Sequence, residues 1–259
     1  MNRHMFYVHD GNPTPFNALI ETKRLAYDAA AGQPPMPRAK WMPGSNYTAM
    51  EYDGVPVSIP KLCATASILV SKARAILSDN LLFGLVNPSR YVSLRGRTRI
   101  DLRDDISSAH EGRAVGYSFF SDDANGFHKH RHVLLTAILR DRLTAAAFYD
   151  VSSGFQGWNE GKLKSFLRHS STFLKCFFTL MHLTYGQPAR AEELTELALQ
   201  NTRDGQRNIY WTYDTVMVLT RYHKSRSVNK REKYVARFLP RCVSELLLQY
   251  VVLVRPLVR

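Results

Sequence analysis

Cysteine is scarce in this chain. Cys63, Cys176 and Cys242 stand far apart among 259 residues. An odd, sparse set excludes a disulfide-stapled scaffold and fits a reducing compartment. No C-x-x-C pair occurs, so there is no zinc signature. Long hydrophobic runs are lacking as well. Leu246 to Val254 falls far short of the ~20 apolar residues that a membrane helix needs, and Arg255 and Pro256 follow it. The opening MNRHMFYVHDG has no apolar signal core. A soluble intracellular protein with no membrane partner is therefore expected. There is no internal repeat and no low-complexity tract. Acidic residues are also in short supply: 22 Asp and Glu face 35 Lys and Arg, a net charge of +13. Such an excess favours polyanions, nucleic acid first among them, although a ribosome-like or membrane-surface protein could carry the same charge.

What is present is an ordinary globular composition, 45% hydrophobic and 22% charged. The pattern predicts a mainly α protein in two parts: a mostly helical region over 1–155 and a second region over 156–259. A helix is expected from Thr14-Pro15 to about Ala31, and then a proline-rich connector from Gly32 to Pro43 in which Lys40 and Trp41 either touch a partner or fold back on their own domain. Met50 to Ile59 suits a hairpin around Asp53-Gly54, and Pro60 to Leu82 a helix. Arg95, Arg97 and Arg99 alternate, so an extended arm would set them on one side, toward phosphates or toward Asp101, Asp104 and Asp105. After a loop at Ser118–Phe127, one helix is expected through HKHRHVLLTAILRDRL. Its His128, His130 and His132 are two apart, which does not put three imidazoles on one helical face, so no metal site is expected there. Asn159 can cap a long helix to Thr184 whose apolar stripe (Phe166, Phe173, Phe177 and Met181 among others) reads as core.

The stretch TYGQPARAEELTEL, from Thr184 to Leu197, organises the second region. Gly186, Gln187 and Pro188 break the long helix, and Pro188 suits the first turn of a new one. Arg190 would then sit near a helix N-terminus, where free N–H groups favour an anion. The plainer alternative is a surface helix with Arg190 paired to Glu193. Leu194 and Leu197 can anchor this helix on the core. Three strand-like runs follow, NIYW at 208–211, TVMVLTRY at 215–222 and KYVARFL at 233–239. Short polar connections make them a three-stranded antiparallel meander. Pro240 ends it, and an apolar helix runs from about Arg241 to Val254.

Helix, break, R-x-x-E-L helix, meander, a lysine in the second turn (Lys224 in RYHKSRS) and a closing helix: this order resembles the first half of a tyrosine recombinase, or phage-integrase-type, catalytic domain. The matching residues are Arg190, Glu193, Leu194 and Lys224. The wording GQPAR, TRYHK and LP…LL…LVRP is also similar to fungal recombinase-like regions beside RecQ-type helicases in telomere-linked genes, kin to Crypton-type recombinases. The resemblance covers about the last hundred residues. It implies that Arg190 grips a scissile phosphate and that Lys224 protonates the leaving 5′-hydroxyl. It further implies DNA recombination, integration or transposition, a nuclear location, double-stranded DNA as partner with self-association on that DNA as a second expected contact, and no cofactor.

The full reaction needs a tyrosine nucleophile, a second arginine and histidines that move protons. In the family, the second arginine lies in an H-x-x-R helix after the meander. H-x-x-R does occur upstream of Arg190, at His110–Arg113 and His128–Arg131, in the wrong order for the family, and Tyr250 lies inside the apolar closing helix. The expectation is therefore a truncated, inactive relative that binds DNA without cutting it. Arg190, Arg221, His223, Lys224, Arg226, Lys230, Arg231 and Lys233 would contact phosphates, and Arg237 and Arg241 belong to the same positive cluster. Two alternatives stand beside this. One is an active strand-transfer enzyme completed by a longer chain or a partner. The other is a protein-interaction module that has lost DNA, marked by an Arg190 fully paired with a carboxylate and closed to solvent.

Overall fold

The computed structural model describes residues 22–23, 39–92, 102–104, 115–150, 157–195, 197–203, 205–222 and 233–258. The helix expected over Thr14–Ala31, apart from 22–23, and the arginines at 95, 97 and 99 lie outside these residues. The chain divides into two compact units, Met1–Cys63 and Ala64–Arg259.

In the first unit, β1 (Ala39–Trp41), β2 (Ala49–Tyr52) and β3 (Val55–Ser58) form an antiparallel sheet in that order. Asp53 and Gly54 both take positive φ, 45° and 79°, so the hairpin closes on a two-residue turn that matches the strand twist. The last residues of the expected proline-rich connector are thus an edge strand: β1 is paired to β2 and exposed throughout. Trp41 remains 50% exposed, edge-on to Tyr47 at 5.5 Å.

The second unit is mostly helical. Helix α1 (Ile59–Ala75) continues as a π-helical turn over Ile76–Leu81. The single helix expected at 128–143 is interrupted: a 3-10 turn at Phe127–His130 is followed by α2 (Val133–Arg140) and α3 (Arg142–Phe148). Asp141 causes the second break, because its extended backbone lets its carboxylate accept the Thr144 N–H at 2.8 Å and cap α3. Strands β4 (Tyr149–Asp150) and β5 (Gly157–Trp158) make a small ladder. Helix α4 (Glu160–Thr184) starts on its expected cap: Asn159 Oδ1 accepts the Lys162 N–H at 3.0 Å. Phe166, Phe173, Phe177, Leu180 and Met181 face the core at helical spacing, whereas Leu167 and Phe178 lie on the open side. The boundary expected between the regions 1–155 and 156–259 lies outside the described residues. On either side of it, Phe148 and Phe166 both pack on Phe83, at 5.4 and 5.9 Å.

Past the short α5 (Ala191–Thr195) comes the expected meander: β6 (Ile209–Thr212), β7 (Thr215–Tyr222) and β8 (Lys233–Phe238), antiparallel in that order. Its period-2 alternation is clean. Val216, Val218, Thr220, Arg237 and Leu239 face the core, while Tyr234, Ala236 and Phe238 are exposed. Helix α6 (Arg241–Gln249) closes the unit, widens to a π-helical turn at Tyr250–Val254 and ends as α7 (Arg255–Val258). Among the described residues, no helix is long and apolar enough to cross a membrane.

Candidate nucleic-acid interface

The break before Arg190 is built by named contacts. Tyr185 caps α4, and Gly186 at φ 92° turns the chain away in the left-handed region that glycine tolerates. The Tyr185 hydroxyl accepts the Ala189 N–H at 3.0 Å. Arg237 Nε donates to the Gln187 carbonyl at 2.6 Å. These bonds keep 186–190 irregular, so the helix begins later than the proline suggests. Pro188 lies before it, and Arg190 is itself the residue whose carbonyl accepts the first helical bond, from Leu194 N at 3.1 Å. Helix α5 has only five residues, too few to sum a useful macrodipole. Its N-terminus therefore does not make the anion site expected from the sequence. Arg190 is exposed.

Glu193 has a structural role. Its Oε2 accepts from Thr220 Oγ1 at 2.9 Å and from Arg237 Nη2 at 3.1 Å, and the Glu193 and Arg237 side chains are only 8% and 3% exposed. Arg237 also donates to Thr220 and lies over the Tyr185 ring, 5.5 Å from its centroid. One buried guanidinium thus ties the helix break, α5 and both long strands of the meander together. This corrects the sequence reading, in which Arg237 is one of the phosphate-facing cations. Strand alternation points it inward with Val235 and Leu239, where it is a staple. Leu194 and Leu197 pack on the core as expected.

His223, Lys224, Arg226, Lys230 and Arg231 lie outside the described residues. Arg221 and Lys233 are placed by backbone alone, in the last rungs before the connection: Arg221 pairs with Tyr234 and Tyr222 with Lys233. Arg241, the first residue of α6, is exposed. Lys224 thus follows Thr220 by four residues, and Arg190 precedes Glu193 by three. The Glu193–Thr220 hydrogen bond is the point at which the two segments are joined.

Tyr250 is 5% exposed, its hydroxyl lies 2.7 Å from Ser170 Oγ, and its ring stacks on Phe173 at 4.7 Å. It is a core residue, placed there by the apolar period of α6. Cys176 is buried too. Its Sγ lies 3.5 Å from the Leu69 carbonyl, and burial pushes the thiol above its ordinary pKa. His130 stands edge-on to Tyr91 at 5.1 Å, and burial first, then Lys129 and His128, hold it below the usual histidine value.

Sequence reasoning missed a second buried pair. Asp104 Oδ1 lies 2.5 Å from Arg207 Nη2, with both side chains at or below 1% exposure. Asp104 Oδ2 accepts the Trp211 N–H at 2.8 Å, and Tyr117 and Tyr210 lie against the guanidinium at 4.8 and 4.5 Å. The partners are 103 residues apart, so no local pattern could announce them. No protein-family model matches this chain, and no solved structure matches it.

Proposed function

We infer that the protein binds double-stranded DNA through the end of the meander that carries Lys224, with Arg190 contributing to the same phosphate contact. The observation that carries this reading is the Glu193–Thr220–Arg237 cluster. It fixes the segment bearing Arg190 to the strand leading to Lys224 and leaves Arg190 itself exposed. Lys224 follows Thr220 by four residues in the sequence. The charged residues between β7 and β8 are nearly all positive: Lys224, Arg226, Lys230 and Arg231, against Glu232. Each phosphate they neutralise would release counterions and make affinity fall with salt.

The reading is of binding; Tyr250 itself is packed and hydrogen-bonded in the core and so is not offered as a nucleophile. The resemblance to tyrosine recombinases would link this binding to recombination, transposition or telomere-linked helicase genes in the nucleus. The exposure of Arg190 does not meet the mark of a module that has lost DNA. Fluorescence anisotropy with a labelled duplex tests the reading. Replacing Arg190 and Lys224 together by Ala should weaken binding at least tenfold at moderate salt, and unchanged affinity removes both from the interface.

A further inference from the structure

We propose that a small cavity between the end of α1 and the first half of α4 binds a small zwitterion, an α-amino acid the size of glycine, alanine or serine. The cavity has a volume of about 140 Å³. Asp79 and Asn80 reach it from the π-helical turn that extends α1. Such turns recur at functional sites. Lys162, Ser165 and His169 line it from α4. They stand at i, i+3 and i+7, so one face of the helix delivers all three. Phe83 and Phe166 make the apolar wall. Phe83 does so from a φ of 55°, a left-handed conformation that disfavours a bulky side chain and that clusters at ligand sites.

Two opposite charges line this cavity without pairing. The Lys162 ammonium lies over the Phe83 and Phe148 rings, 5.9 and 5.8 Å from their centroids. The nearby acid on its own helix, Glu160, pairs with Lys164 at 2.7 Å instead. Among the described residues, neither Lys162 nor Asp79 enters an ion pair. A simple anion in the cavity would be attracted by Lys162 and repelled by Asp79, and a simple cation would meet the reverse. A molecule that carries an ammonium and a carboxylate on one carbon satisfies both, its ammonium toward Asp79 and its carboxylate toward Lys162. The Ser165 hydroxyl and the Asn80 amide add groups that can donate or accept. The volume equals the share of about five liquid waters, which leaves room for roughly five to seven heavy atoms. It is well below the ~300 Å³ at which ordinary ligand pockets begin, so a nucleotide does not fit. None of these residues belongs to the DNA contact.

The test is an NMR titration of the full chain with L-alanine, acetate, methylammonium and L-tryptophan. Alanine should saturate at one per chain, with amide shifts centred on residues 79–83 and 162–169. Acetate and methylammonium, each with half of the charge pattern, should bind at least tenfold more weakly, and tryptophan, too large for the space, likewise. Asp79→Asn should cost alanine tenfold or more in affinity and leave acetate bound as before or tighter, since the repelling charge has gone. Lys162→Gln should cost alanine as much and spare methylammonium. If Lys162→Gln unfolds, because its aromatic contacts are lost, the response of alanine and acetate to the exposed Asp79→Asn change still decides. No saturable binding of alanine, acetate as tight as alanine, or alanine affinity unmoved by Asp79→Asn would overturn the proposal. So would tryptophan binding as tightly as alanine, or shifts centred elsewhere in the chain.

Discussion

Replacing Glu193 by Gln removes one charge and almost no volume from the most connected point of the larger unit. Arg237 is 4% exposed and would lose the carboxylate 3.1 Å from its Nη2. Its remaining acceptors, Thr220 Oγ1 and the Gln187 carbonyl, are neutral. Removing one member of a buried ion pair costs about 3–5 kcal/mol, because the other charge stays desolvated. The amide oxygen of the introduced side chain still accepts, so the expected loss lies at the lower end, about 3 kcal/mol. Urea unfolding followed by circular dichroism reads this as a drop in midpoint at constant slope. Glu193→Leu with Arg237→Met removes both charges and should be milder than the sum of the two single losses, since apolar replacement of a buried pair is often near neutral. The Gln187 carbonyl and Thr220 hydroxyl keep the double variant from full recovery. A Glu193→Gln protein within about 1 kcal/mol of the parent would mean that the pair is solvated, and the fixed position of α5 would go with it.

Three further outcomes follow from other contacts. Asp104→Ala takes the carboxylate from a fully buried Arg207 and an acceptor from the Trp211 N–H, so a loss of about 3–5 kcal/mol is expected in the same urea assay. Asn159→Ala deletes the cap of α4 and should cost about 1 kcal/mol, with Asn159→Asp close to neutral. Cys63 is exposed and Cys176 buried with its thiol pKa raised, so maleimide at pH 8 should modify Cys63 fast and Cys176 only on unfolding. The raised folded-state pKa means that raising the pH through the ordinary thiol range destabilises the fold, since the unfolded chain ionises first. Equal labelling rates for the two thiols would contradict the buried placement.

Much of this fold was legible in the residues. The meander came from β-branched runs with short polar connections, and each of its strands lies within a residue of the expected span. Asn159 announced α4 because a cap is a local signal, and Asp53-Gly54 announced a hairpin for the same reason. Tyr250 was readable as core from the apolar period around it. The failures come from contacts that join distant segments. Counting positive charges placed Arg237 at the surface, although its register with Val235 and Leu239 already pointed inward; the alternation was available and the charge count overrode it. Pro188 correctly marked the break, but Arg237 holds the carbonyl beside it, and the helix waits until Ala191. Asp104 looked like a partner for neighbouring arginines, and the one that holds it lies on the approach to β6. The residues that carry the functional reading divide in the same way: the Glu193 tether is visible, whereas Lys224 was named by resemblance and lies outside the described residues.

The most direct measurement is the salt dependence of duplex affinity for the parent chain, Arg190→Ala, Lys224→Ala and the double variant. If both side chains serve one phosphate, either single change should flatten the log–log salt slope by about one, and the double variant should lose little more than the worse single. Four proteins with the same affinity and the same slope would contradict the account.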